Sequence, residues 1–152
     1  MSEENKLTSE ADELPPASQK TKEQWLEEGK VLTFHAPLRY EEALAAYEQA
    51  ISLDTTDAEA YTGKGDTLYA LKRYEEALSA YEQALGFDPT SASASNGRAI
   101  SLVFLKRDEE ALAAYEQVIR LDDDEPLYSY LAYLNSGTLL ASRALHGGTC
   151  CL

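Results

Sequence analysis

Three sixteen-residue segments of this chain are near-copies: RYEEALAAYEQAISLD from Arg39, RYEEALSAYEQALGFD from Arg73 and RDEEALAAYEQVIRLD from Arg107. Each starts 34 residues after the one before. Such copies at a constant interval restrict the chain to an architecture that stacks one unit repeatedly. Within each copy the apolar residues return at helical spacing. Ala43, Leu44, Tyr47, Ala50 and Ile51 form one stripe, repeated as Ala77, Leu78, Tyr81, Ala84, Leu85 and as Ala111, Leu112, Tyr115, Val118, Ile119. Upstream of each copy lies a second helical stretch, about 22–34, 58–71 and 92–105. The unit is therefore a helix–turn–helix, three times over.

The turns agree. Asp54, Asp88 and Asp122 close the second helices, and Asp57, Thr90 or Ser91 can cap the next one. Pro126 suits the first turn of a further helix, where its missing N–H costs nothing. Lys72–Arg73 and Lys106–Arg107 sit where the first helices end and complement the negative end of the helix dipole.

These residues resemble the tetratricopeptide repeat family. Trp25/Gly29 and Tyr61/Gly65 match its aromatic/small pair in the first helix. Ala43/Tyr47/Ala50, Ala77/Tyr81/Ala84 and Ala111/Tyr115/Val118 match its small/aromatic/small set in the second, and Pro89 stands where the family often has proline. The resemblance covers Lys22 to about Asp124. It implies an all-α fold, a right-handed solenoid of three repeats (about 22–57, 58–91 and 92–124, within 21–124) plus a C-terminal helix. Two departures stand out. The first copy is two residues longer after Leu32, which predicts an irregular turn around Pro37. The third has Ser95/Ala99 instead of the aromatic/Gly pair and Asp108 instead of Tyr, which predicts looser packing on the second.

Residues 1–20, rich in Ser, Glu, Lys and Pro, read as a flexible acidic leader, with no secretory or transit signal at the N-terminus. Residues 125–146 read as one helix, a cap or an incomplete fourth repeat in which Tyr133/Gly137 echo Tyr61/Gly65. Residues 147–152 read as a flexible tail. The helix carries two apolar stripes: Leu127, Leu131, Leu134, Ala141, and Tyr130, Tyr133, Leu140, Ala144. A cap normally shows water a polar face, so the second stripe is a candidate for self-association into a homodimer.

Motifs for chemistry are weak. Gly63-Lys64-Gly65-Asp66-Thr67 is superficially similar to a phosphate loop but lacks its spacing and a preceding strand. His35 and His146 have no partner at metal-ligand spacing, and Asp122–Glu125 has no EF-hand spacing. Cys150 and Cys151, the only cysteines, cannot form an internal framework and fit a reducing, cytoplasmic setting. No nucleophile–base constellation emerges. The expectation is no catalysis, no cofactor and no metal.

The resemblance instead implies a groove lined by the first helices, which bind partners in such arrays. Leu26, Lys30, Thr33 and Phe34 would line it in copy one. Thr62, Asp66, Tyr69 and Ala70 follow in copy two, and Asn96, Ile100, Val103 and Phe104 in copy three. That mixture suits a peptide or helix of another protein. Some family members grip a chaperone's C-terminal carboxylate through a Lys/Asn/Arg clamp. Here the clamp positions are Leu26, Lys30, Gly63, Ser93 and Gly97, so only Lys30 is cationic, and a neutral or basic protein partner is expected.

The net charge of −14, from 27 acids against 13 Lys+Arg, argues against nucleic acid and anionic membranes as partners. Nine of those acids recur at the repeat interval as Glu41, Glu42, Glu48, Glu75, Glu76, Glu82, Glu109, Glu110 and Glu116. Lying off the apolar stripes, they are expected to coat the outer faces of the second helices. The chain thus reads as a non-catalytic interaction module, with self-assembly through its last helix as the alternative.

Overall fold

A computed structural model describes residues 20–35, 39–121 and 126–147. The acidic leader up to residue 19, the turn around Pro37, the Asp122–Glu125 run and the tail with Cys150 and Cys151 lie outside the described residues. So do the side chains of His35 and His146. Seven helices and no strand are seen among the described residues: α1 (Lys22–His35), α2 (Tyr40–Leu53), α3 (Ala58–Ala70), α4 (Tyr74–Phe87), α5 (Ala92–Phe104), α6 (Asp108–Leu121) and α7 (Pro126–Gly147). Three helix pairs and a last helix make an all-α helical solenoid.

Local chemistry fixes the boundaries. Asp57 caps α3 by accepting from Glu59 and Ala60 N–H at 3.0 and 3.1 Å, and Ser91 caps α5 through Ala94 N–H at 3.2 Å. Thr90 is instead a donor to Asp88, which shapes the turn before α5. Between α3 and α4 the chain reverses through Lys72, whose φ of 61° is left-handed; Lys106 does the same at 62°. There Arg73 N–H reaches Leu68 C=O and Lys72 N–H reaches Tyr69 C=O, both at 2.9 Å. These bonds satisfy the last carbonyls of α3 and outweigh the modest cost of a non-glycine residue there. Arg73 and Arg107 then fork onto Glu76 and Glu110 at 2.6–2.7 Å, and Arg39 onto Glu42, tying each second helix at its start. The nine repeated glutamates are all exposed, as their position off the stripes predicts.

Packing sets the curvature. Adjacent first helices approach one another closely (α1 and α3, α3 and α5, α5 and α7), whereas α2, α4 and α6 come no nearer to one another than 8 Å between Cα atoms among the described residues. The first helices therefore form the inner layer and the second helices splay outward. The core runs between the layers, with Tyr47, Tyr81 and Tyr115 each 2% exposed or less.

Glycines permit that depth. A Cβ on Gly29 of α1 would lie 2.8 Å from the Tyr47 ring, and one on Gly63 of α3 only 2.3 Å from it. Tyr81 is held alike, at 2.7 Å from Gly65 and 2.4 Å from Gly97. Each ring thus lies between the glycine of its own repeat and that of the next. Gly63 and Gly97, the glycines that flank from the next repeat, are one repeat interval apart, and the next position in that series is Leu131 of α7. Tyr115 consequently has Ala99 and Leu131 at the positions where glycines flank the other two. The expected looser packing of the third copy is not what is seen at its substituted pair, because Ser95 and Ala99 are both fully buried.

The last helix departs from expectation. Its seated face is Tyr128, Ala132 and Leu139, packed on the cluster around Leu102, Tyr115 and Val118. These residues belong to neither anticipated stripe. The Tyr133/Gly137 echo also fails, because Tyr133 is 61% exposed and a Cβ on Gly137 would meet nothing within 4 Å. Leu131, too large to repeat the glycine contact, stands in the series position, and Ala132 takes the fully buried place beside it.

Candidate functional site

The inner layer carries two recesses. The first, about 330 Å³, lies between α1, α3 and the start of α5 and is bordered by Lys30, Phe34, Thr62, Asp66 and Asp88. The second, about 490 Å³, lies between α3, α5 and α7, with Tyr69, Ile100, Val103 and Phe104 on one side and Asn135 and Thr138 on the other. Of the anticipated groove residues, Lys30, Phe34, Thr62 and Asp66 line the first recess and Tyr69, Ile100, Val103 and Phe104 the second, whereas Leu26, Thr33, Ala70 and Asn96 line neither.

Not every anticipated residue is available. Leu26 is only 6% exposed and packs with Tyr47, Ala50 and Ala60, so it is core and not groove. Lys30 follows one turn later on the same face of α1, but its long side chain carries the ammonium out to Glu59 and stays half-buried. Thr33 is half-buried, its hydroxyl donating to Gly29 C=O at 2.9 Å and meeting the Thr67 hydroxyl at 3.0 Å. It links α1 to α3. Asn96 is 8% exposed, and its Oδ1 has no hydrogen-bond partner among the described residues.

Aromatic surface is concentrated in the second recess. Tyr74 stacks on Phe104 at 4.6 Å between centroids, and Tyr69 meets Phe104 edge-on at 5.6 Å. Phe104 still exposes 49% of its surface, and Phe34 beside the first recess exposes 73%. Tyr74 does not line the recess itself but backs Phe104, a supporting role that sequence reasoning missed. It marks where copy three has Asp108, and that substitution was its only signal.

Electrostatics distinguish the two. In the first recess Lys30 forms an ion pair with Glu59 at 2.6 Å, so its charge is already answered. Asp66 accepts a 2.7 Å hydrogen bond from the Tyr81 hydroxyl, and no cation pairs with it among the described residues. Burial pushes the Asp66 carboxyl above its ordinary value, only partly opposed by that hydrogen bond. Burial likewise raises the Tyr81 hydroxyl, with the Asp66 charge adding to it. Tyr47 is pushed up to about 12 for the same leading reason. Two further cations on the first helices are also engaged: Lys64 pairs with Glu48 at 3.0 Å and Arg98 reaches Gln117 at 3.4 Å.

On α7 the proposed self-association residues Tyr130, Tyr133, Leu140 and Ala144 are all exposed, together with Leu134 and Leu145. No helix among the described residues is long and apolar enough to cross a membrane.

Comparisons with known proteins agree with this architecture. Solved structures of similar fold include the first TPR domain of Spaghetti (RPAP3) bound to the HSP90 peptide SRMEEVD, at a TM-score of 0.74 and 20% identity, covering 84% of this chain and 96% of that one. The Sgt2 TPR domain from Aspergillus fumigatus matches at a TM-score of 0.74 and 18% identity, covering 86% and 85%. The TPR2B domain of yeast Sti1, in complex with pHsp70, matches at 0.70 and 19%, covering 78% and 98%. No curated protein sequence matches the chain. Two family models described as tetratricopeptide repeat match residues 38–92 and 68–132, together more than half of the sequence. With three glutamate-coated helix pairs stacked through buried tyrosines, the chain belongs to the tetratricopeptide repeat family.

Proposed function

We propose that this chain is a non-catalytic protein-interaction module that binds a peptide or helix of a partner protein along its inner layer. The observation that carries this is the second recess, where Tyr69 and Phe104 present aromatic surface on a helical framework. Exposed rings in a concavity are the usual anchors of peptide recognition. The similar domains that hold HSP90 and Hsp70 peptides support a peptide as the ligand class. Their ligands do not transfer directly. The HSP90 peptide SRMEEVD is acidic, whereas here Lys30 is spent on Glu59, and Gly63 and Gly97 of the clamp positions are filled by tyrosine rings. A neutral or basic partner in the cytoplasm is the consistent choice, with no nucleic acid or membrane involved.

The second reading, a homodimer through α7, is favoured by Tyr130, Tyr133 and Leu140, each more than half exposed on one helix. One experiment separates the two: panning a 12-residue peptide library against the full chain, with its mass followed by light scattering. Retained peptides that lose at least tenfold in affinity on Tyr69→Ala or Phe104→Ala support the groove, since such anchors carry about 1.4 kcal/mol or more. A mass twice 16.8 kDa with no peptide retained favours the dimer.

A further inference from the structure

The first recess asks for something the protein does not supply. Asp66 is a half-buried carboxylate whose hydrogen bond from Tyr81 carries no positive charge, and no cation pairs with it among the described residues. Beside it, Asp88 adds a second negative charge, and one oxygen of its carboxylate is occupied by Thr90. Among the described residues the one cation on the border, Lys30, is cancelled by Glu59. The recess is therefore net negative, with apolar lining and the exposed Phe34 ring at its edge.

A partly buried carboxylate without a counter-ion is costly, and a cation that donates hydrogen bonds relieves that cost. A long basic side chain fits the remaining features, because its aliphatic stem can lie on Phe34 while its head reaches the carboxylates. Resting on the groove function proposed above, we propose that the partner is a basic peptide that inserts an arginine or lysine into the Asp66 recess. Its apolar residues would occupy the Tyr69–Phe104 recess. The two subsites then divide the work: aromatic contact supplies affinity, and Asp66 selects charge.

The test uses the full chain and the 12-residue peptides recovered by panning. Retained peptides should share a basic residue at one fixed position. Asp66→Asn, which keeps an acceptor for Tyr81, should weaken them about tenfold to a hundredfold, the loss expected when a partly buried charge pair forfeits one charge. Replacing the peptide's basic residue by glutamine should cause the same loss, and the two changes together should cost little more than either alone. Lys30→Met supplies an independent arm, because freeing Glu59 makes the recess more negative and should tighten basic peptides several-fold at low salt. Retained peptides without a fixed basic residue, or equal binding to Asp66→Asn, would overturn the proposal and leave the groove function standing. Retention of no peptide at all would overturn both.

Discussion

Gly63→Ala is expected to lower the stability of the array by about 2 kcal/mol, although alanine is the better helix former by about 1 kcal/mol. The new Cβ would lie 2.3 Å from Tyr47 Cε1 and 2.4 Å from Cζ, and the ring cannot retreat because Gly29 flanks it from the other side. Relief requires α3 to move away from α2, opening a well-packed interface. Gly97→Ala should behave alike against Tyr81, at 2.4 Å. Gly137→Ala is the control, since nothing lies within 4 Å of its Cβ, and it should raise stability by up to about 1 kcal/mol. Thermal or urea unfolding followed by circular dichroism reads all three. A destabilising Gly137→Ala together with a neutral Gly63→Ala would refute the tyrosine-clamp account.

Tyr81→Ala should have the largest effect of any single substitution. Removing a fully buried aromatic costs about 3–5 kcal/mol, and here the loss also strips Asp66 of its hydrogen-bond donor. Such a loss is a large part of the stability of an ordinary domain. Tyr81→Phe isolates the second contribution, at about 1–3 kcal/mol for a carboxylate left without its donor. Because repeats are stabilised mainly by their neighbours, a lesion at the middle tyrosine should also uncouple the two ends. Urea unfolding of Tyr81→Ala should then broaden into two transitions, whereas a single transition of unchanged slope would show that the repeats do not rely on this contact.

Much of this was legible in the sequence, for a specific reason. The periodic stripes dictate which residues face inward, so Ala43, Tyr47, Ala50 and their copies are buried as their spacing requires. Asp57 and Ser91 cap helices because their short side chains can reach the free N–H groups. What stayed hidden depends on relative rotation of helices, which periodicity within one helix does not encode. Its position in the repeat points Leu26 to the groove, yet Leu26 packs on Tyr47. The last helix seats Tyr128, Ala132 and Leu139 in place of either apparent stripe. The role of Gly63 and Gly97 was present as a 34-residue recurrence, but it was obscured by the similarity of Gly63–Thr67 to a phosphate loop. The coupling of Asp66 to Tyr81 joins two helices of one repeat, and no pairwise spacing announces it.

The account rests on the inner layer as the surface that partners meet. Hydrogen exchange of the full chain, with and without the tightest peptide from the library, measures this directly. The account predicts slowed exchange concentrated in α3 and α5, at residues 58–70 and 92–104, with α4 and the outer face of α7 little changed. Protection confined to α7 or to the glutamate-coated second helices would contradict it.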